Sequence, residues 1–67
     1  MSEAQFAARK MRKDEFKSPA EMYKRDHLGR PCLFVCESQA GHKTLGLSWA
    51  AACEMAERLS TEMLEAA

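Results

Sequence analysis

Two histidines, His27 and His42, and three cysteines, Cys32, Cys36 and Cys53, are the side chains of this 67-residue chain best suited to ligate a metal or attack a carbonyl. A structural zinc needs four such donors converging on one point. In the antiparallel meander argued for below, His27 and His42 occupy loops at opposite ends of the sheet. Cys32 and Cys36, four residues apart on one strand, are then roughly 13 Å apart. They serve as small buried hydrophobes, and no metal site is expected. A helix over residues 19–28 would weaken that geometry, yet no Cys-x-x-Cys is present either way. No nucleophile has a base and an orienting group in recognisable order, and Gly29, Gly41 and Gly46 are too scattered for a phosphate loop. Neither enzyme activity nor a cofactor is expected. What remains is cationic chemistry: Arg9, Lys10, Arg12 and Lys13 crowd into five residues, with Tyr23, Arg25 and Arg30 following. Such groups bind phosphates.

Formal net charge is zero, but the halves differ. Residues 1–30 hold eight Lys/Arg against five Asp/Glu, and residues 31–67 hold two against five. A front of +3 and a back of −3 can steer the front toward an anionic partner. A chain this short hides only roughly 60% of its unfolded surface, so its core is thin and open to completion by a partner or a second copy. An odd number of cysteines with no paired framework spacing, and no apolar leader after Met1, suggest a reducing cytoplasm. No run approaches about 18 apolar residues, so no membrane span is expected.

The elements that must position these groups follow from patterning. Over residues 1–17, Ser2 and Gln5 stand at capping-box spacing before good helix formers, but Phe6, Met11 and Phe16 share no face; a basic helix or a flexible arm is expected. Residues 18–67 read as one β-β-β-α domain. Ser18-Pro19-Ala20-Glu21 is a sound helix start, with Gly29 as its stop. Against it, Asp26-His27-Leu28-Gly29 between two β-rich runs suits a hairpin loop, with Asp26 bonding the backbone two residues on and Gly29 at positive φ. The hairpin is preferred. It makes Met22–Arg25 the first strand, followed by a second through Cys36 and a third at residues 43–47. Pairing Glu37 with Lys43 sets Val35 beside Leu45 and Leu33 beside Leu47, which leaves Tyr23, Arg25, Arg30, Cys32, Phe34, Cys36, Thr44 and Ser48 on the reverse face. Ser48 caps a helix from Trp49 to about Ala66. Its stripe of Trp49, Ala52, Cys53, Ala56, Leu59 and Met63 covers the leucine face, and Met55 with Leu64 forms a second apolar edge. The fold class is α+β: a three-stranded antiparallel meander packed on a C-terminal helix.

Tyr23-Lys24-Arg25, Cys32-Leu33-Phe34-Val35 and Gly41-His42-Lys43-Thr44-Leu45-Gly46-Leu47-Ser48, followed by a helix with alanines at 52 and 56, resemble the amino-terminal arm-binding domains of phage tyrosine-recombinase integrases. The resemblance spans Glu21 to Ala66. It implies a sheet in the DNA major groove, with Arg25, Arg30 and Thr44 touching the duplex, and a basic tail, Arg9 to Lys13, in the minor groove. No catalytic domain is present, so no recombinase activity is implied.

The first functional expectation is a small non-catalytic DNA-binding module of phage or mobile-element type, using Arg9, Lys10, Arg12, Lys13, Tyr23, Arg25, Arg30 and Thr44. The second is a protein-binding regulator, such as a phage-encoded inhibitor of a host protein or a homodimer, acting through Phe34, Met55 and Leu64.

Overall fold

The structure is a computed structural model that describes residues 5–66, of which 63–66 are described as helical backbone alone. Three strands, β1 (Phe6–Lys10), β2 (Phe34–Ser38) and β3 (Lys43–Leu47), precede one helix, α1 (Trp49–Ala66). The strands form an antiparallel sheet in the order β1-β2-β3, packed against α1, so the fold is α+β. Between β1 and β2 the chain makes a long excursion through two 3-10 turns, Lys13–Glu15 and Pro19–Tyr23.

The first strand is not where its residue types put it. Phe-Ala-Ala-Arg-Lys is a good helix sequence, yet residues 6–10 pair with the free edge of β2, with Phe6 opposite Ser38, Ala8 opposite Cys36 and Arg9 opposite Val35. Helix preference amounts to only tenths of a kcal/mol per residue, whereas the pairing supplies a ladder of backbone bonds and a cross-strand ion pair. Residues 6–10 are therefore neither helix nor arm. Ser2, the expected helix start, lies outside the described residues.

Residues 18–32 satisfy both signals in turn. Pro19–Tyr23 coils as a 3-10 turn, so Met22 and Tyr23 are not strand residues. Next comes the Asp26–Gly29 loop: Asp26 Oδ1 accepts the Leu28 N–H at 2.9 Å, the Gly29 N–H reaches the Asp26 carbonyl at 3.0 Å, and Gly29 has φ +79°. The arms of this hairpin extend only to the single bridge between Arg25 and Pro31 and the bond from Cys32 N–H to the Lys24 carbonyl. Pro31 has no N–H to carry a ladder further.

The face assignment of the sheet also changes. Glu37 pairs with Lys43 as expected and Cys36 with Thr44, but Phe34 then pairs with Leu47, so Leu45 and Gly46 stand together opposite Val35. Gly46, at φ +72°, supplies the left-handed backbone for this bulge. One added residue inverts every later assignment. Phe34, Cys36, Ala8 and Leu47 therefore share a face. It is the face α1 covers, with the Phe34 and Trp49 rings edge-on at 5.1 Å and Cys36 only 1% exposed. The expected leucine face is corrected accordingly, and the cysteine side is sealed inside the chain.

α1 starts as expected. Ser48 Oγ accepts the Ala51 N–H at 3.3 Å, and the Ser48 carbonyl accepts the Ala52 N–H at 2.9 Å. Its inner row is Ser48, Ala52, Ala56 and Ser60, all buried and all small, which lets the helix axis approach the strands closely. Ser60 Oγ also accepts the Phe6 N–H at 3.1 Å, tying the start of β1 to the helix. Trp49 departs from expectation: it is 52% exposed. As the first helical residue it lies at the rim of the contact.

Candidate nucleic-acid interface

The expected reading surface was the sheet face away from α1, and the side chains found there neutralise one another. Arg9 and Glu37 project from that face, and the first 3-10 turn brings Glu15 down onto them. Glu15 accepts both Arg9 Nη atoms at 2.8 Å, the Arg12 backbone N–H at 2.8 Å and Lys43 Nζ at 3.0 Å. Glu37 accepts Arg9 Nε at 2.9 Å. The Arg9 hydrogen bonds, followed by the Arg12 N–H, hold the Glu15 carboxyl far below the usual carboxylate range, against the opposing effect of its burial. The same bonds, to Glu15 first and Glu37 second, push the Arg9 guanidinium further up, and Arg9 in turn lowers Glu37. Two cations facing two carboxylates leave no net charge for a phosphate. Val35, which pairs with Arg9 on this same side, is 0% exposed.

Arg9 is thus a structural cation rather than a free one, and the expectation that it sits in a DNA-contacting arm is corrected. Arg30 is also engaged: its Nε donates to Asp26 Oδ2 at 2.9 Å and its N–H to Asp26 Oδ1 at 2.9 Å. The Arg30 and Leu28 N–H groups and the Arg30 side chain draw the Asp26 carboxyl down to about 2. Thr44 is exposed on β3 but pairs with Cys36 on the α1 side, on the opposite face of the sheet from Arg9 and Lys43.

The remaining cations lie along the excursion, apart from Lys10 at the end of β1. Lys10, Arg12, Lys13 and Arg25 are exposed, as are two that the sequence expectation omitted, Lys17 and Lys24. Among the described residues none of these six makes a salt bridge. Lys13 and Lys17 flank an open groove of about 410 Å³ floored by Phe16, Pro19 and Met22. Tyr23 closes the second turn with 79% of its surface in water. Lys17 and Lys24 were discoverable from the same basic run, since they extend it at both sides of the Ser18-Pro19 start. Glu15 carried no such signal, since Arg12 three residues before it has no acceptor for a capping box.

The alternative surface is also only partly as expected. Phe34 is half-buried against Trp49, Met55 is half-buried, and the Leu64 side chain lies outside the described residues. What is open there is Leu45 and Trp49 beside the β3 edge, which bonds to β2 alone. The outer surface of α1 carries Glu54, Glu57 and Glu62 around Arg58.

Burial pushes the Cys36 thiol up, so it stays a neutral thiol rather than a nucleophile. Among the described residues no three of His, Cys, Asp and Glu group so as to hold a metal ion, and no helix is long and apolar enough to cross a membrane. Compared with protein-family models, with curated proteins and with solved structures, the chain matches none.

Proposed function

We propose that this chain is a small, non-catalytic nucleic-acid-binding module whose contact surface is the excursion between β1 and β2, with Lys10 at the end of β1, and not the open face of the sheet. The observation that carries the reading is the segregation of charge: Arg9, Lys43 and Arg30 are matched by carboxylates, while Lys10, Arg12, Lys13, Lys17, Lys24 and Arg25, within residues 10–25, stand exposed and make no salt bridge among the described residues. Cations already held by carboxylates have little left to offer a phosphate, so the unpaired ones supply the affinity. Anisotropy of a labelled mixed-sequence oligonucleotide, titrated with the intact chain, tests this. Binding is expected at 50 mM salt. If all six cations engage a duplex, affinity falls about 10³-fold by 200 mM. No binding at 50 mM salt overturns the proposal.

A second reading, a protein-binding regulator or homodimer, rests on a separate observation. Trp49 and Leu45 remain exposed beside the unpaired β3 edge, and large exposed aromatics favour protein contacts. Under this reading, partner or self-association barely responds to salt, and Trp49→Ala abolishes it.

A further inference from the structure

Resting on the nucleic-acid reading, we infer that the strand this surface takes is single, with Tyr23 as the platform on which an unpaired base stacks. Duplex recognition requires an element that enters a groove. α1 is closed to that role by Glu54, Glu57 and Glu62 on its outer side. The sheet face opposite α1 is closed by Glu15 and the turn that carries it. The excursion offers no long element for a groove, since its two 3-10 turns span only three and five residues and its hairpin reaches no further than the Arg25–Pro31 bridge and the bond from Cys32 N–H to the Lys24 carbonyl. What it offers instead is an aromatic ring among cations, the combination that serves single strands, because every base has a face to stack and every nucleotide a phosphate.

Tyr23 is also held ready for this role. Its turn is fixed by the Glu21 N–H to the Ser18 carbonyl and the Lys24 N–H to the Glu21 carbonyl, both at 3.1 Å, and by the Lys17 N–H to the Glu21 carboxylate at 2.8 Å. Immediately after it, the Lys24 carbonyl is anchored by the N–H of buried Cys32 at 3.0 Å. The backbone beneath the ring is therefore ordered before any ligand arrives, which lowers the entropy lost on binding. Among the described residues the ring pairs with no other aromatic, since the single aromatic contact is Phe34 with Trp49. A phenol this exposed, on so well-fastened a turn, contributes nothing to the core.

The test compares fluorescein-labelled dT15 with a 15-base-pair mixed-sequence duplex at 50 mM salt, using the intact chain and its Tyr23→Ala and Tyr23→Phe variants. The inference predicts at least tenfold tighter binding of dT15. It further predicts a loss of roughly 5- to 100-fold on dT15 for Tyr23→Ala with near-full retention by Tyr23→Phe, and little change for either variant on the duplex. Circular dichroism checks that both variants keep the fold. Equal affinity for the two probes, or a Tyr23→Ala variant that binds dT15 normally, overturns the single-strand inference while the nucleic-acid reading stands. Failure of both probes to bind at 50 mM salt removes the reading and the inference together.

Discussion

The sheet and the excursion carry similar cationic residues to opposite ends. On the sheet, Arg9 and Lys43 meet Glu15 and Glu37 within 2.8–3.0 Å and become part of the scaffold. On the excursion, cations that look no different in the sequence meet no carboxylate among the described residues. Basic runs therefore cannot be counted as binding surface until their partners are known. Glu15 links the two regions, because its carboxylate belongs to the excursion and the side chains it pairs with, Arg9 and Lys43, to the strands.

The largest expected effect comes from breaking both regions at once. Val35→Asp would bury an unpaired carboxylate in the sheet at a position 0% exposed, at a cost of about 4 kcal/mol or more, against a stability on the order of 5 kcal/mol for a domain this size. Thermal scans of this variant should show no cooperative transition. Glu15→Ala separates the regions: losing bonds to charged donors should cost about 2 kcal/mol and lower the melting temperature by roughly 10 °C. Hydrogen exchange should then accelerate across residues 11–33 and stay slow in α1. Uniform acceleration would mean that the excursion is not a separable unit.

Acid provides a gentler version of the same break. The folded values of Glu15, Glu37 and Asp26 lie below their unfolded ones, so the stability they confer is complete above about 4.5 and is lost as pH falls toward the folded values, about 2 for Asp26. The melting temperature should decline from pH 5 to pH 2, and Glu15→Gln should flatten that decline. The smallest effect is expected at the hairpin tip. Arg30→Ala removes an exposed side-chain pair while leaving the Arg30 N–H on Asp26, so the unfolding midpoint should not move measurably.

Local signals explain which parts of the fold were legible in the sequence. Ser48 before an alanine-rich run announced α1, Lys43–Leu47 emerged as β3 with its Glu37 partner, and Asp26 with Gly29 announced their loop. β1 was hidden because pairing overrides the helix preference of Phe-Ala-Ala-Arg-Lys. The sheet faces were inverted because Gly46 inserts a bulge that alternation alone cannot show. At the candidate site, the clustering of cations was legible and their neutralisation was not. Whether Arg9 faces water or Glu15 depends on how the excursion folds back over the strands, a contact between residues six apart in sequence but on different elements.

The central claim is that the open cations, and not the strands or the β3 edge, form the contact surface. Amide chemical shifts of the isotope-labelled chain, followed during titration with dT15 at 50 mM salt, test it most directly. Perturbations confined to residues 10–25, with Tyr23 and Lys24 among the largest, are predicted. Shifts at Leu45 to Trp49 with residues 10–25 unmoved would contradict the account and point instead to the open strand edge.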